Sequence, residues 1–482
     1  MGWRIGLGAW DGETFDLVVI GVGPAGEKAA AQAAYFGKRV ACIESAEIGG
    51  AVVNTGTLPS KTLRETALYL SGLRSRNLYG IDYSFGREIS AADLFHRQKI
   101  VETSHLDLVR ANLERHGVEV IAGRAELVDA HTVVVHSAGG DAARLSGEFI
   151  LLATGSRPAR PPSIPFDDDH VLDSDTILGL QRIPAALVVI GAGVIGCEYA
   201  TLFAAMGTRV TLVNTRDELL PFLDSELMAI LRQHMASVDI TLLLGRTIET
   251  VEVLRNEGAV AVTTSDGATL RADAVLYCGG RQANTDGLGL KRLGIATNAR
   301  GHVQVDVNYR TSVPSVLATG DVIGFPALAS TAMEQGRVAV CRAFGFEYKR
   351  QVSGLIPYAL YTIPEVSMVG ASEDALRQDG QPYLVGRARY AANARAQIVG
   401  DTTGLVKLLF DPESLRLLGA HIIGEQASEL IHVAQMCMQF EGTINVFIEN
   451  VFNFPTIGDA YKYAAYDGLQ ARDRWRAERV RV

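Results

Sequence analysis

The sequence predicts an α/β fold of two Rossmann-like domains followed by a C-terminal α+β unit, and three observations carry that prediction. At 482 residues the chain is too long for one hydrophobic core, because cores stop growing near ~250–300 residues and divide, so about three domains are expected. Two segments offset by 170 residues, from Gly21 to Gly191, repeat one order of apolar strand, glycine-rich turn, small-residue helix and second strand. From about Leu355 onward no third copy follows, and strands at residues 405–410 and 419–423 meet a helix at residues 428–440 instead.

The first copy runs through a strand at residues 17–20, the turn glycines Gly21, Gly23 and Gly26, an alanine-rich helix at residues 27–36 and a strand at residues 39–44. The second runs through residues 187–190, then Gly191, Gly193 and Gly196, a helix at residues 197–206 and a strand at residues 209–214. One GxGxxG alone is weak, but two in the full strand, turn, helix and strand setting are specific. Such a turn keeps side chains out of the path of a pyrophosphate, and the helix behind it aims free N–H groups and a positive dipole end at that anion. Two bound dinucleotides are therefore expected.

The tips of the second strands differ. Glu44 ends the first, where a carboxylate accepts hydrogen bonds from an adenosine ribose. Asn214 ends the second, followed by Thr215 and Arg216. A carboxylate there would repel a 2′-phosphate, whereas an amide bonds a free 2′-hydroxyl and a guanidinium pairs with a phosphate, so Asn214 with Arg216 suits both NAD and NADP. The plain alternative makes Arg216 a solvated loop charge.

Between and after the copies, helices are expected at residues 61–75 and 91–116, with strands at residues 118–121 and 132–136. A buried strand from Phe149 ends in Ala153-Thr154-Gly155, and a similar one at residues 274–278 runs into Gly279-Gly280-Arg281. Pro158, Pro161, Pro162 and Pro165 mark a linker, and the arginine-rich residues 472–482 read as a frayed, solvated end.

Composition narrows the partners. A net charge of −9 without a basic stripe makes nucleic acid an unfavoured ligand. No run approaches the ~20 apolar residues that span a bilayer, and residues 1–16 are too broken for a signal segment, so a soluble, cytoplasmic protein is expected. The five cysteines form no CxxC and the ten histidines no HxxxH or HExxH, so reduced, mostly buried thiols and no metal site are expected.

Residues Gly49, Gly50, Val52, Asn54, Gly56, Thr57, Pro59, Ser60 and Lys61, with Ala153-Thr154-Gly155, the run 311–321 ending in Gly320-Asp321, and residues 327–337, resemble the pyridine nucleotide-disulfide oxidoreductases. The likeness extends over residues 15–468. It implies that the first fingerprint holds FAD, with Gly50, Thr154 and Gly155 around it, that Asp321 bonds the ribitol, and that a helix starting near Ala329 faces flavin N1 and O2, with Gly280 a further cofactor-binding position. It also implies a Lys61–Glu198 pair beside flavin N5, and homodimerisation through the C-terminal domain. The expected architecture is thus two Rossmann-like dinucleotide-binding domains plus a C-terminal α+β dimerisation domain. Residues 1–159 and 281–350 would bind FAD, residues 160–280 NAD(P), and residues 351–482 would dimerise.

The departures from that family carry the functional reading. Val52 and Thr57 stand where disulfide-reducing members have two cysteines, and Phe454 stands where they place the histidine of a partner-subunit His–Glu dyad. Without a thiol pair or its base, electrons entering the flavin leave only to a molecule that reaches it. Leu172-Asp173-Ser174-Asp175, Asn214-Thr215-Arg216-Asp217, residues 320–326, residues 394–400 and residues 452–456 resemble the transhydrogenase branch of the family. Some members of that branch keep the first loop cysteine, so Val52 is a further departure. The implied activity is FAD-dependent hydride transfer between NADPH and NAD, both nicotinamides using one site in turn. The alternatives are an NAD(P)H-dependent diaphorase or quinone reductase of the same fold, and a non-catalytic flavoprotein subunit; a dithiol reductase ranks last.

Overall fold

A computed structural model describes residues 7–72 and 89–480. The chain divides into two compact units, one formed by Met1–Thr62, Phe95–Arg160 and Gly280–Ser353, the other by Leu63–Leu94, Pro161–Gly279 and Gly354–Val482.

In the first unit the strand Glu13–Ile20 lies between Val40–Glu44 and Ala142–Leu152, parallel to both. Glu119–Ala122 extends the sheet beyond Val40–Glu44, and Val316–Ala318 adds a parallel strand on Ala142–Leu152. Thr132–His136 and Arg124–Leu127 continue it antiparallel. Leu17, Val18 and Val19 are all fully buried, the near-continuous apolar run that a parallel strand covered on both faces requires. The antiparallel partners Ser156–Pro158 and Arg281–Ala283 form a small separate pair.

The second unit holds a five-stranded parallel sheet in the order Ile240–Leu244, Arg209–Asn214, Ala186–Ile190, Ala274–Tyr277, Val171–Asp173. A meander of Ile248–Leu254, Ala259–Thr264 and Thr269–Ala272 covers it. The C-terminal part of this unit is an antiparallel sheet in the order Tyr358–Leu360, Val366–Gly370, Leu417–Ile423, Leu405–Phe410, Leu384–Arg389. The helices Ala427–Gln439 and Ala460–Val480 pack on that sheet.

Several expected boundaries move. Both fingerprint helices start earlier than expected, at Pro24 and Val194, because the third glycine of each motif lies inside the first turn. The helix expected at residues 61–75 is Thr57–Ser71; its expected last three positions lie outside the described residues. The arginine-rich end is not frayed through residue 480 but continues the helix Ala460–Val480, while residues 481–482 lie outside the described residues. Arginine, alanine and glutamate are good helix formers. Arg479 lies 4.4 Å over the ring of Trp475, one turn back, and also pairs with Glu413. Among the described residues no helix is long and apolar enough to cross a membrane.

Candidate functional site

The two fingerprints repeat each other in detail. Gly21 N donates to Ile43 O at 2.8 Å and Gly191 N to Val213 O at 2.8 Å, while Ala153 N and Cys278 N bond the ends of the two first strands, Ile20 O and Ile190 O. The helices begin after Gly23 (φ −77°, ψ −173°) and Gly193 (φ −76°, ψ −174°). Close packing dictates the third glycine: a Cβ at Gly26 would lie 2.0 Å from Gly21 O, and one at Gly196 would lie 1.9 Å from Gly191 O. Gly21 and Gly191 are equally fixed, since a Cβ would meet Ala153 O at 2.5 Å or Cys278 O at 2.7 Å.

The space ahead of each helix fits a pyrophosphate. No side chain among the described residues caps either N-terminus, a Cβ on Gly193 would meet nothing within 4 Å, and one on Gly23 only Gly50 Cα at 3.8 Å. Glu44 stands at the strand tip, its oxygens accepting from Val22 N at 2.8 Å and Ala46 N at 2.9 Å. Gly50, with φ +56°, lets its loop close on Gly23, because a Cβ there would lie 2.8 Å from Gly23 Cα.

Further polar groups of the first unit converge on the ends of its central strands. Asp321 lies on the short turn Gly320–Ile323, pinned where Gly320 N donates to Gln335 Oε1 at 2.8 Å. Ser156 Oγ donates to Asp321 Oδ2 at 2.9 Å, and Arg281 holds Ser156 through Nε to Oγ at 2.8 Å and Nη2 to O at 2.7 Å. Asn284 Nδ2 donates to Thr154 O at 3.0 Å, and Gly155 O accepts from Asn284 N at 3.0 Å. Gly280 O accepts from Ala159 N at 3.0 Å, one step beyond the paired strands Ser156–Pro158 and Arg281–Ala283. The buried hydroxyls of Thr154 and Thr319 and the Oδ1 of Asn54 have no hydrogen-bond partner among the described residues. Orphaned polar atoms next to an uncapped helix are what a site built for a polar ligand shows, so the residues present fit a dinucleotide such as FAD. Ala329 opens the helix Ala329–Phe344, which has no side-chain cap among the described residues.

Val52 lies in the helix Gly50–Asn54 and Thr57 opens the next helix, both half-buried. Lys61 sits one turn into that helix, its Nζ donating to Ser60 Oγ at 3.3 Å. No cysteine lies in this segment, and the five in the chain are free. Burial pushes the thiols of Cys42, Cys197 and Cys278 far above the ordinary range and that of Cys437 up to about 11, so these are not thiolates near neutral pH.

In the second unit Glu198 is 7% exposed on the fingerprint helix and accepts from Tyr361 N at 2.9 Å. Thr201 on the same helix accepts from Ile363 N at 3.2 Å, so this helix and the Tyr361–Ile363 segment are stitched together. Asn214 Oδ1 accepts from Ala192 N at 3.3 Å, and its Nδ2 donates to Arg216 O at 3.2 Å and Glu218 O at 3.4 Å. Arg216 is exposed. Among the described residues no group of three or more His, Cys, Asp or Glu side chains could hold a metal ion.

Sequence reasoning missed Ser156, Arg281, Asn284 and Gln335, which hold the predicted site residues in place. It also missed Arg246, whose N donates to Asn214 O at 2.9 Å. Arg281 and Asn284 had a readable signal in the Gly279-Gly280 pair just before them; Ser156 and Gln335 are ordinary polar residues with none.

Two dinucleotide crevices on one chain, one of them beside a helix pair carrying a lysine, define a nucleotide-dependent oxidoreductase. The chain belongs to the pyridine nucleotide-disulphide oxidoreductase family, whose pattern matches residues 15–336, with that family's dimerisation domain matching residues 356–465. It is 46% identical to a soluble pyridine nucleotide transhydrogenase of Mycobacterium bovis, over 94% of this chain and 97% of that one. A protein of the same name from Pseudomonas putida is 42% identical over 94% and 98%. Among solved structures, LpdA from Mycobacterium tuberculosis is similar with a TM-score of 0.86 at 29% identity, covering 94% and 99% of the chains. The HOCl-induced flavoprotein disulfide reductase RclA from Escherichia coli, as its Cu(II) complex, has a TM-score of 0.84 at 27% identity, covering 94% and 99%.

Proposed function

We propose that this chain is an FAD-dependent oxidoreductase that transfers hydride between NADPH and NAD, the two nicotinamides occupying the second fingerprint in turn. The observation that carries the reading is the loop itself: Val52 and Thr57 offer no thiol, and no cysteine lies elsewhere in that segment. FAD, when bound, supplies a two-electron centre that takes hydride from one nicotinamide and returns it to another.

The chain's own residues bind, orient and exclude. Gly21, Gly23 and Gly26 admit the FAD pyrophosphate to the helix Pro24–Tyr35, Glu44 accepts from the adenosine ribose, and Asp321 accepts from the ribitol. Gly50, Thr154 and Gly155 would leave the backbone close to that ligand, with the Thr154 hydroxyl as a ready hydrogen-bonding group, and Gly280 would be a further cofactor-binding position. With FAD bound, Lys61 would supply a positive charge and the helix that opens at Ala329 its uncapped N-terminus, both favouring added negative charge on the flavin. Gly191, Gly193 and Gly196 admit NADPH or NAD, and Glu198, braced by Tyr361 N, orients the nicotinamide. Residues 1–159 and 281–350 form the FAD domain, residues 160–280 the NAD(P) domain and residues 351–482 the homodimer contact. The transfer is of the Si-specific type and the setting cytoplasmic.

Rapid mixing of purified, FAD-loaded protein with NADPH, then with an oxidised NAD analogue, tests the proposal. Flavin absorbance is expected to fall with the first and recover with the second. Fast recovery with a quinone but none with the analogue would replace it by a quinone reductase.

A further inference from the structure

We infer that Arg246, together with Arg216, recognises the 2′-phosphate that distinguishes NADP from NAD, and that Asp266 holds Arg246 when no phosphate is present. This rests on the second fingerprint being the nicotinamide dinucleotide site.

The strands Arg209–Asn214 and Ile240–Leu244 run parallel with Asn214 opposite Leu244. Their ends are laced beyond that pair: Gly245 N donates to Arg216 O at 3.1 Å and Arg246 N to Asn214 O at 2.9 Å. Residues 216 and 246 therefore flank Asn214 at the carboxyl end of the sheet, where a dinucleotide's adenosine ribose lies in this fold. Gly245 has φ +67°, the left-handed region that favours glycine.

Asn214 itself cannot serve a phosphate. Both hydrogens of its Nδ2 are committed to Arg216 O and Glu218 O, while Oδ1, with one bond from Ala192 N, keeps a lone pair. It can accept from a 2′-hydroxyl but has no N–H to offer a 2′-phosphate. Recognition of the phosphate passes to guanidinium groups, which bind such anions in a fork.

Arg246 pairs with Asp266 in a partly solvated setting, at 38% and 43% side-chain exposure. Asp266 is held independently, accepting from Thr264 Oγ1 at 2.6 Å, so it stays in place when the arginine turns away. A phosphate monoester carries about −1.5 to −2 charges near pH 7 against one for the carboxylate, so it competes well for the guanidinium. NAD leaves the Arg246–Asp266 pair intact, whereas NADP has to open it. The second site then takes both dinucleotides, with Asp266 lowering its preference for the phosphorylated one.

Calorimetric titration of FAD-loaded, full-length protein with 2′,5′-ADP and with 5′-ADP tests this. Asp266→Asn is expected to tighten 2′,5′-ADP about two- to fivefold, the worth of one exposed ion pair, with 5′-ADP unchanged. Arg246→Gln should weaken 2′,5′-ADP about tenfold or more, again sparing 5′-ADP, whose unchanged affinity also reports an intact fold. Equal effects on both ligands, no effect on either, or weaker 2′,5′-ADP binding in Asp266→Asn would overturn the inference. Failure of the unaltered protein to bind either ligand would instead overturn the assignment of the second fingerprint, and this inference with it.

Discussion

Lys407 is a charged residue with no exposed surface, on the strand Leu405–Phe410. Its Nζ donates to Asp224 Oδ1 at 2.9 Å and Oδ2 at 2.8 Å and also to Glu373, and lies 3.1 Å from Glu226 Oε2. Asp224 also caps the helix Ser225–Ser237, accepting from Glu226 N at 3.1 Å and Leu227 N at 3.4 Å. One ammonium thus ties the start of a helix in the nucleotide-binding part of the second unit to its C-terminal sheet. Lys407→Met keeps most of the stem's volume and removes the charge, leaving Asp224, 1% exposed, without its cation and Glu373, 11% exposed, with only the exposed Arg377. Breaking a buried pair in this way costs about 3–5 kcal/mol.

With about 2–4 °C per kcal/mol for domains of ~150–250 residues, Tm should fall by roughly 6 °C or more at pH 7. The pH dependence supplies the second criterion. Burial works to raise the pKa of Glu373, but the hydrogen bond and charge of Lys407 hold it below the usual carboxylate range. A folded-state pKa below the unfolded one gives stability that is present above the unfolded value and lost as pH falls through the folded one, so the native contribution persists down to about pH 4. In the variant the Tyr383 hydrogen bond and the Arg377 charge still oppose burial at Glu373, so its folded pKa moves up only by the lost Lys407 contributions, and protonation relieves part of the penalty as pH falls. The deficit should therefore be full at pH ~7–8 and shrink only as pH falls through the ordinary carboxylate range toward pH ~4, read by thermal unfolding in near-ultraviolet circular dichroism. A shift under about 2 °C at pH 7, less than 1 kcal/mol on the same conversion, or a deficit as large at the acid end as at the alkaline one, would refute the reasoning.

Three other perturbations address the site. Ser156→Ala removes the hydroxyl that orients Asp321 and should weaken FAD binding by apoprotein about tenfold, the worth of one hydrogen bond to a charged group. The same change in an Asp321→Asn background should add little, and additive losses in flavin-fluorescence titrations would contradict the relay. Gly196→Ala should abolish NADPH binding while FAD stays bound, because the new methyl would sit 1.9 Å from Gly191 O; unimpaired binding in equilibrium dialysis would count against the fingerprint geometry. Lys61→Ala should slow single-turnover flavin reduction by NADPH about tenfold or more, the scale of losing one positioned positive group, and an unchanged rate would remove Lys61 from the mechanism.

Sequence legibility follows the range of the interaction that fixes each residue. Gly21, Gly26, Gly191 and Gly196 were readable because the contacts that forbid a side chain lie within a few residues or at the end of a neighbouring strand, so they recur as a local pattern. The strands at Thr132–His136 and Leu405–Phe410 were readable from alternation. Helix starts were misplaced because the spacing of glycines does not tell which of them lies inside the first turn. The end of the C-terminal helix, from residue 472, was misread from charge density. That end continues a helix anchored further back, where Tyr461, Ala464 and Ala465 are buried among residues of the C-terminal sheet.

The residues that hold the site are bound over long separations: Ser156 to Asp321 across 165 positions and Arg281 to Ser156 across 125. Such bonds leave no periodicity, yet their locations are constrained. A buried polar side chain needs a partner, and in a doubly wound sheet the unsatisfied backbone and the open crevice both occur at the carboxyl ends of the strands. Asp321, Thr154 and Asn214 all stand at such ends or just beyond them. The polar groups that reach those ends are the ones that complete the sites. Arg281 and Arg246 both meet that criterion, although nothing in the immediate sequence marks Arg246. Lys407 sits within an antiparallel strand and does not, which is why it is assigned to stability and the two arginines to the sites.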